Sequence, residues 1–190
     1  MAVIITSKKE KKLWIFASIA LAAIFLNLWL SGIFSSQLHD QDLIAIGFVI
    51  GMLLVAITII THAFLKRINY SEIVVWIGLI AVYYMVGLRM TMLERSHLFE
   101  FGVLAIFFFE ALKERKLNGK KVFSPPLYAI LLTGFCGVID ESLQLLIPHR
   151  VFDPTDMFFN LIAAIMAVGG SIALSWVRQV FQPKNKTNQN

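Results

Sequence analysis

The stretch from Leu127 to Ile147 reads LYAILLTGFCGVIDESLQLLI and is apolar along most of its length. It is long enough to cross a bilayer, since a membrane helix needs about 20 residues. Two carboxylates, Asp140 and Glu141, stand side by side within it. An ionised acid at the centre of a membrane helix costs roughly 2.5–3.5 kcal/mol, so this pair needs polar partners or a wet cavity. The stretch therefore predicts a membrane helix and the main candidate for a functional site.

The composition of the whole chain supports a membrane protein. Of its 190 residues 58% are hydrophobic and 15% are charged, and the mean hydropathy is +0.75. A soluble domain needs far more polar surface than this. The net charge of +5 does not indicate a nucleic-acid partner, because cytoplasmic loops make many membrane proteins basic. Cys136 is the single cysteine, which excludes an intrachain disulfide and a cysteine-based metal site.

Six stretches are long and apolar enough to be membrane helices. They lie at residues 13–34, 43–65, 72–90, 97–112, 127–147 and 157–180. The sequence therefore predicts an all-α fold, a polytopic transmembrane helical bundle of about six membrane helices. We divide the chain into a basic tail at 1–12, a three-helix membrane portion at 13–90, a membrane region with the polar residues at 91–180, and a second tail at 181–190.

The basic residues indicate how these helices are oriented. Counted over alternate loops and tails, Lys and Arg number fourteen on one side of the membrane and three on the other. The basic side of a membrane protein is normally cytoplasmic. We therefore expect a multi-pass protein of the plasma membrane with both termini in the cytoplasm. This topology places the polar residues of region 91–180 in the extracytoplasmic half.

The spacing of the polar residues predicts that several share one helix face. In an α-helix, Asp140 and Gln144 lie about 40° apart around the axis, and Glu141 and Gln144 about 60° apart. Asp140 is roughly 12 Å along the helix from Pro148, which is too deep for its carboxylate to reach the membrane surface. We therefore expect the three side chains to face one cavity.

Small residues indicate which helices pack together. Gly134 and Gly137 form a stripe that leads to Glu141, and Asp156 and Asn160 begin a similar stripe on the last predicted helix. Small residues let membrane helices approach closely. We expect the two stripes to face each other. Asp153 lies in the preceding loop, and we interpret its side chain as solvated.

A second polar group opens the fourth predicted helix, with Glu94, Arg95, His97 and Glu100. His97 and Glu100 are three residues apart and can face the same partner. The predicted topology places this group on the same side of the membrane as Arg150 and Asp156. The start of this helix is therefore expected to be wet or buried in protein.

These residues resemble the signature of the VanZ-like family of bacterial membrane proteins over roughly residues 90–170. The resemblance rests on His97 and on the run Asp140, Glu141, Gln144, Pro148, Arg150, Asp156 and Asn160. Two positions depart from the family pattern: Ala163 stands where glycine is frequent, and Glu100-Phe101 where an aromatic is common. The resemblance implies a link to low-level resistance to glycopeptide antibiotics such as teicoplanin. It leaves the molecular activity open.

The polar residues fit two classes of function. As an enzyme, the protein would act on the phosphate of a lipid-linked envelope precursor or a phospholipid, with Asp140, Glu141 and His97 as candidate acid/base groups. As a binding or accessory protein, it would recognise an envelope lipid or a glycopeptide without turnover. The candidate ligand-binding residues are the same in both cases: Gln144, Arg150, Asp156, Asn160, Glu94, Arg95 and Glu100.

Other interpretations also stay open. A proton-coupled transporter is less favoured, because the polar residues cluster on one side of the membrane. Asp140 and Glu141 could instead belong to a purely structural network between helices. No cofactor is predicted and no standard metal motif is present, although the two acids and His97 could hold a divalent cation. The bilayer is the expected partner, and the sequence leaves the oligomeric state open.

Overall fold

The computed structural model of the protein describes residues 5–34, 70–90, 92–147 and 152–181. These residues form five α-helices and no strand, which confirms the all-α prediction for the described part of the chain. In chain order the helices are α1 (Lys8–Phe34), α2 (Tyr70–Gly87), α3 (Met92–Leu117), α4 (Pro125–Gln144) and α5 (Pro154–Phe181).

Five of the six predicted spans coincide with these helices, and the remaining one, at 43–65, lies outside the described residues. Three helices, α2, α4 and α5, are long and apolar enough to cross a membrane. The prediction of a membrane-spanning helical protein is thus supported by these three, whereas the count of about six spans is not confirmed.

Two helix ends follow from local sequence chemistry. α4 begins with Pro125 directly after Ser124, whose extended backbone has φ −140°. Proline suits the first turn of a helix, where its missing N–H would have no helical partner. α3 continues past the predicted end at residue 112 because the following residues, KERKL, are good helix formers. The chain then turns at Gly119, whose φ of 81° favours glycine.

Two helices form the centre of the bundle. α3 packs against α1, α4 and α5, and α5 packs against α2, α3 and α4. The core side of α3 includes Phe101, Leu104 and Ala105, which are fully buried. α5 approaches α3 closely at Gly102, where an added Cβ would lie 3.7 Å from the Cβ of Ala167. The first half of α3 is thus packed against both α4 and α5.

The outer surface of the bundle is apolar. Large hydrophobic side chains are exposed along α2, including Val74, Ile77 and Ile80, and along α4, including Leu131 and Phe135. Soluble monomers rarely expose contiguous apolar surfaces of this kind. This surface, together with the three apolar helices, is suited to contact with lipid.

Ion pairs tie the helices together at one end of the bundle. Lys9 of α1 lies 2.8 Å from Glu114 near the end of α3, and Arg115 lies 3.4 Å from the buried carboxylate of Glu10. The hydrogen bond from Lys9 lowers the pKa of Glu114, so this carboxylate stays charged at neutral pH. These two ion pairs thus join α1 to α3 at the end of α3 that is remote from His97.

A similar pair joins α2 to α5. Arg178, in the last turn of α5, donates a hydrogen bond of 2.9 Å from Nε to Glu72 in the first turn of α2. Gly170 lies further along the same contact, where an added Cβ would be 3.1 Å from a methyl group of Leu79. The packing of α2 on α5 therefore combines one ion pair with close apolar contact.

Candidate functional site

The first turns of α3 and the last turns of α4 bring three ionisable side chains together. His97, Asp140 and Glu141 are buried, and each offers a nitrogen or oxygen atom within 4.8 Å of the others. His97 Nδ1 lies 4.0 Å from Asp140 Oδ2. Because α3 and α4 pack side by side, residues 43 positions apart in the chain meet at this point. We call His97, Asp140, Glu141, Gln144 and Asn160 the polar cluster.

The packing of the side chains around the cluster explains why the cluster is buried. His97 lies on the face of α3 that also carries Phe101, and the two rings stack with centroids 5.9 Å apart. Phe101 is fully buried, so it supports the imidazole from the protein interior. Asp140 and Glu141 are 1% and 0% exposed. Two neighbouring acids are therefore held out of contact with lipid, as their depth in the predicted helix requires.

Glu141 has a defined orientation because each of its oxygens accepts a hydrogen bond. The side-chain amide of Gln144 donates to Oε1 at 2.7 Å, and the backbone N–H of Asp153 donates to Oε2 at 3.3 Å. Gln144 is 2% exposed and lies one turn along the same helix. A carboxylate held in this way keeps further lone pairs for another ligand.

Among the residues that the structure describes, three acids act on Glu141. Asp140, Asp153 and Asp156 all act on it as like charges. Asp153 precedes α5, and its Oδ1 accepts a hydrogen bond of 2.8 Å from the backbone N–H of Thr155. The Thr155 hydrogen bonds lower the pKa of Asp153, so that side chain is ionised at neutral pH. The start of α5 thus adds negative charge to the polar cluster.

Asn160 completes the cluster from α5. Its side chain is fully buried, and neither its amide nitrogen nor its amide oxygen has a hydrogen-bond partner among the described residues. It packs against Gly137, where an added Cβ would lie 2.9 Å from the Asn160 Cβ and 3.0 Å from Nδ2. Buried amides without partners are rare, since each costs roughly 1–3 kcal/mol. Within the described residues the hydrogen-bonding capacity of this amide is thus unused.

The structure brings together five residues that the sequence nominated: His97, Asp140, Glu141, Gln144 and Asn160. Two further candidates are half-buried, Asp156 in the first turn of α5 and Glu100 on α3. Arg150 and the side chains of Glu94 and Arg95 lie outside the described part of the structure. The chemical roles assigned to all of these residues stay predictions.

Sequence reasoning missed two residues that contact the polar cluster. Asp153 was interpreted as a solvated loop residue, and its side chain is indeed exposed, but its backbone N–H binds Glu141. The sequence DPTD at 153–156 does carry a signal, since Asp followed by Pro is typical of a helix start. Phe101 was noted only as a departure from a family pattern, whereas it is the stacking partner of His97.

A comparison with family models identifies the chain. The model described as VanZ/LLP1 matches residues 13–176. The chain belongs to the VanZ/LLP1 family. The VanZ/LLP1 match begins well before residue 90, so it takes in most of α1 and all of α2 as well as the region that carries the signature. Comparison with curated proteins and with solved structures gives no match.

In this VanZ/LLP1 protein the polar cluster offers an imidazole, two carboxylates and two amides at one end of an apolar bundle. Such a set can move a proton, bind a polar headgroup or hold a cation. Five polar positions of the VanZ-like signature, those of the polar cluster, thus lie close together, although they come from three helices.

Proposed function

We propose that this VanZ/LLP1 membrane protein modulates sensitivity to envelope-directed agents, glycopeptides such as teicoplanin foremost, by binding an envelope lipid or the glycopeptide at the polar cluster. The observation that carries the proposal is the burial of Asp140 and Glu141 beside His97 within an apolar bundle. Ionisable residues inside membrane helices are costly and generally mark functional sites.

The proposed orientation places the cluster in the outer half of the plasma membrane. His97 and Arg115 lie at opposite ends of α3, eighteen residues and therefore about 27 Å apart. This separation is close to the thickness of a hydrocarbon core, about 30 Å. Lys9, Arg115 and Arg178 belong to the basic side of the predicted topology, which is expected to face the cytoplasm. The cluster would then lie on the side of the membrane from which a lipid headgroup or an antibiotic outside the cell approaches.

A second candidate function is an enzyme that acts on the phosphate of a lipid-linked envelope precursor or a phospholipid. The pairing of two carboxylates with an imidazole favours it, because such groups can transfer a proton to or from a reacting oxygen. Arg150, one of the sequence-nominated residues, would hold the phosphate through two parallel hydrogen bonds.

The resistance proposal is tested by expressing the protein in a glycopeptide-susceptible host. The wild-type chain should raise the lowest teicoplanin concentration that stops growth. Glu141→Ala should abolish the increase, because it removes the carboxylate to which Gln144 and Asp153 donate. Arg150→Lys should also reduce it, because lysine lacks the planar five-donor group. Glu110→Gln, a change in the surface pair with Lys113, is the matched control and should behave as wild type.

Protein levels in the membrane are compared for all variants, so that a misfolded chain is recognised. If the wild-type chain is inserted and leaves the inhibitory concentration unchanged in several hosts, the resistance proposal is wrong. Glu141→Gln separates the two candidate functions. A binding protein should tolerate this near-isosteric amide in part, whereas an enzyme that uses Glu141 for proton transfer should lose activity and keep its ligand.

The orientation has its own test. In a Cys136→Ala background, a cysteine at Ser36 should react with a membrane-impermeant thiol reagent in intact cells. A cysteine at the exposed Asn118, which follows α3, should react only after the cells are opened. The reverse pattern would place the polar cluster on the cytoplasmic side and contradict the proposal.

A further inference from the structure

We propose that His97, Asp140 and Glu141 form a binding site for one divalent transition-metal ion. Two ligand atoms that are each about 2.1 Å from the same ion are at most about 4.2 Å apart. The 4.0 Å between His97 Nδ1 and Asp140 Oδ2 falls inside this limit. All three ligand atoms lie within 4.8 Å of one another, so the widest pair needs to close by about 0.6 Å at most.

The charge of the site favours a cation. Asp140 and Glu141 are adjacent and almost completely buried, and Asp153 and Asp156 act on Glu141 as further negative charges. Burying like charges together is unfavourable unless a counter-charge is present. A doubly positive ion bound by the two carboxylates would add positive charge among these acids.

Glu141 is already held as a metal ligand would be. Gln144 and the backbone of Asp153 each fix one of its oxygens through a hydrogen bond. Carboxylates that bind metals are typically oriented by such outer hydrogen bonds. The support comes from two elements, α4 and the segment before α5, so the orientation does not depend on one flexible side chain.

Asn160 gives an independent indication of a ligand. Its amide is fully buried and has no hydrogen-bond partner among the described residues. It lies against Gly137, one turn before Asp140 and Glu141 on the same face of α4. The absence of a side chain at Gly137 is what allows the amide to occupy this position. An amide oxygen here could bind the ion or a water molecule on the ion.

The ligand set indicates which ions fit. One imidazole with two carboxylates suits Mn²⁺, Fe²⁺ or Zn²⁺. Calcium takes six to eight oxygen ligands, and magnesium usually keeps several waters and few protein ligands. The inference concerns the same cluster as the proposed function, but it rests on geometry and is tested by metal binding alone.

The full-length chain, purified in detergent without a histidine tag and stripped with a chelator, is titrated with Mn²⁺ and followed by electron paramagnetic resonance. One Mn²⁺ should bind per chain and be displaced by Zn²⁺. Asp140→Asn and Glu141→Gln should each weaken binding at least about tenfold, since even outer-shell changes cost about 10–100-fold. Glu110→Gln on α3 should bind as wild type.

The ligand nitrogen is checked by pulsed electron paramagnetic resonance on the bound Mn²⁺. This measurement detects an imidazole that is coordinated to the ion. His97→Gln should remove that signal. If the variants do not fold, the wild-type spectrum decides, because Mn²⁺ without a nitrogen ligand would overturn the site. No saturable binding, or unchanged binding in folded Asp140→Asn and Glu141→Gln, would overturn it as well. None of these outcomes decides the teicoplanin assay, so the two proposals can fail separately.

Discussion

Replacing Gly137 with leucine should force α4 and α5 apart and lower the stability of the bundle by about 3 kcal/mol or more. Even a Cβ at this position would lie 2.9 Å from the Cβ of Asn160, closer than side chains normally approach. Asn160 is fully buried and cannot move away without displacing its own helix. The larger leucine side chain increases the clash, so the polar cluster should lose its geometry together with the packing.

The measurement is thermal unfolding of the purified protein in one detergent, followed by helix content. Gly169→Leu is the matched control, because it is also a membrane-helix glycine but has nothing within 4 Å of an added Cβ. It should change stability little, or raise it slightly through better helix propensity. Equal stability of the Gly137 and Gly169 variants would show that α4 and α5 do not approach as described.

The helices could be predicted because one continuous stretch of sequence is enough to indicate each of them. An apolar run of about 20 residues has few alternatives to a membrane helix, and Pro125 marks the start of α4 directly. The predicted helix ends were less accurate where the apolar pattern of the sequence weakened. α3 spans Met92–Leu117 rather than 97–112, because good helix formers extend the helix beyond its apolar part.

The site could be predicted in part. Helical spacing placed Asp140, Glu141 and Gln144 on one face, and the small-residue stripes predicted that Gly137 would face the helix that carries Asn160. The stripe on α5 did not identify all of its neighbours. Ala167 faces Gly102 of α3, and Gly170 faces Leu79 of α2. Small residues indicate that another helix comes close, but they do not specify which one.

Contacts between distant parts of the chain could not be predicted. Arg115 pairs with Glu10 across 105 positions, and Arg178 with Glu72 across 106. Each of these residues has an ordinary surface charge when the sequence is considered alone. The hydrogen bond from the Asp153 backbone to Glu141 carries no side-chain signal at all. Such contacts depend on how the helices are arranged, which local pattern does not determine.

Asp140→Asn should raise the stability of the metal-free protein, by about 0.5–2 kcal/mol, while it weakens metal binding. The reason is the crowding of like charges. Asp140, Asp153 and Asp156 all act on Glu141, and Asp140 and Glu141 are both buried. Asparagine keeps the shape of aspartate and removes one buried charge. Residues placed for function commonly cost stability in this way, and their replacement often restores it.

A loss of stability in the metal-free Asp140→Asn variant would instead identify a purely structural network. If Asp140 served mainly as the partner of a charged His97, 4.0 Å away, its removal would leave a buried imidazolium and cost about 3–5 kcal/mol. Unfolding is measured with a chelator present, and Glu110→Gln is the control because it removes a carboxylate from the pair with Lys113, outside the polar cluster. In saturating Mn²⁺ the advantage of the variant should shrink, since an ion at 100 times its dissociation constant stabilises the wild-type chain by about 2.7 kcal/mol and the variant, which binds it more weakly, by less. A destabilised Asp140→Asn variant in both conditions would assign the cluster to packing alone.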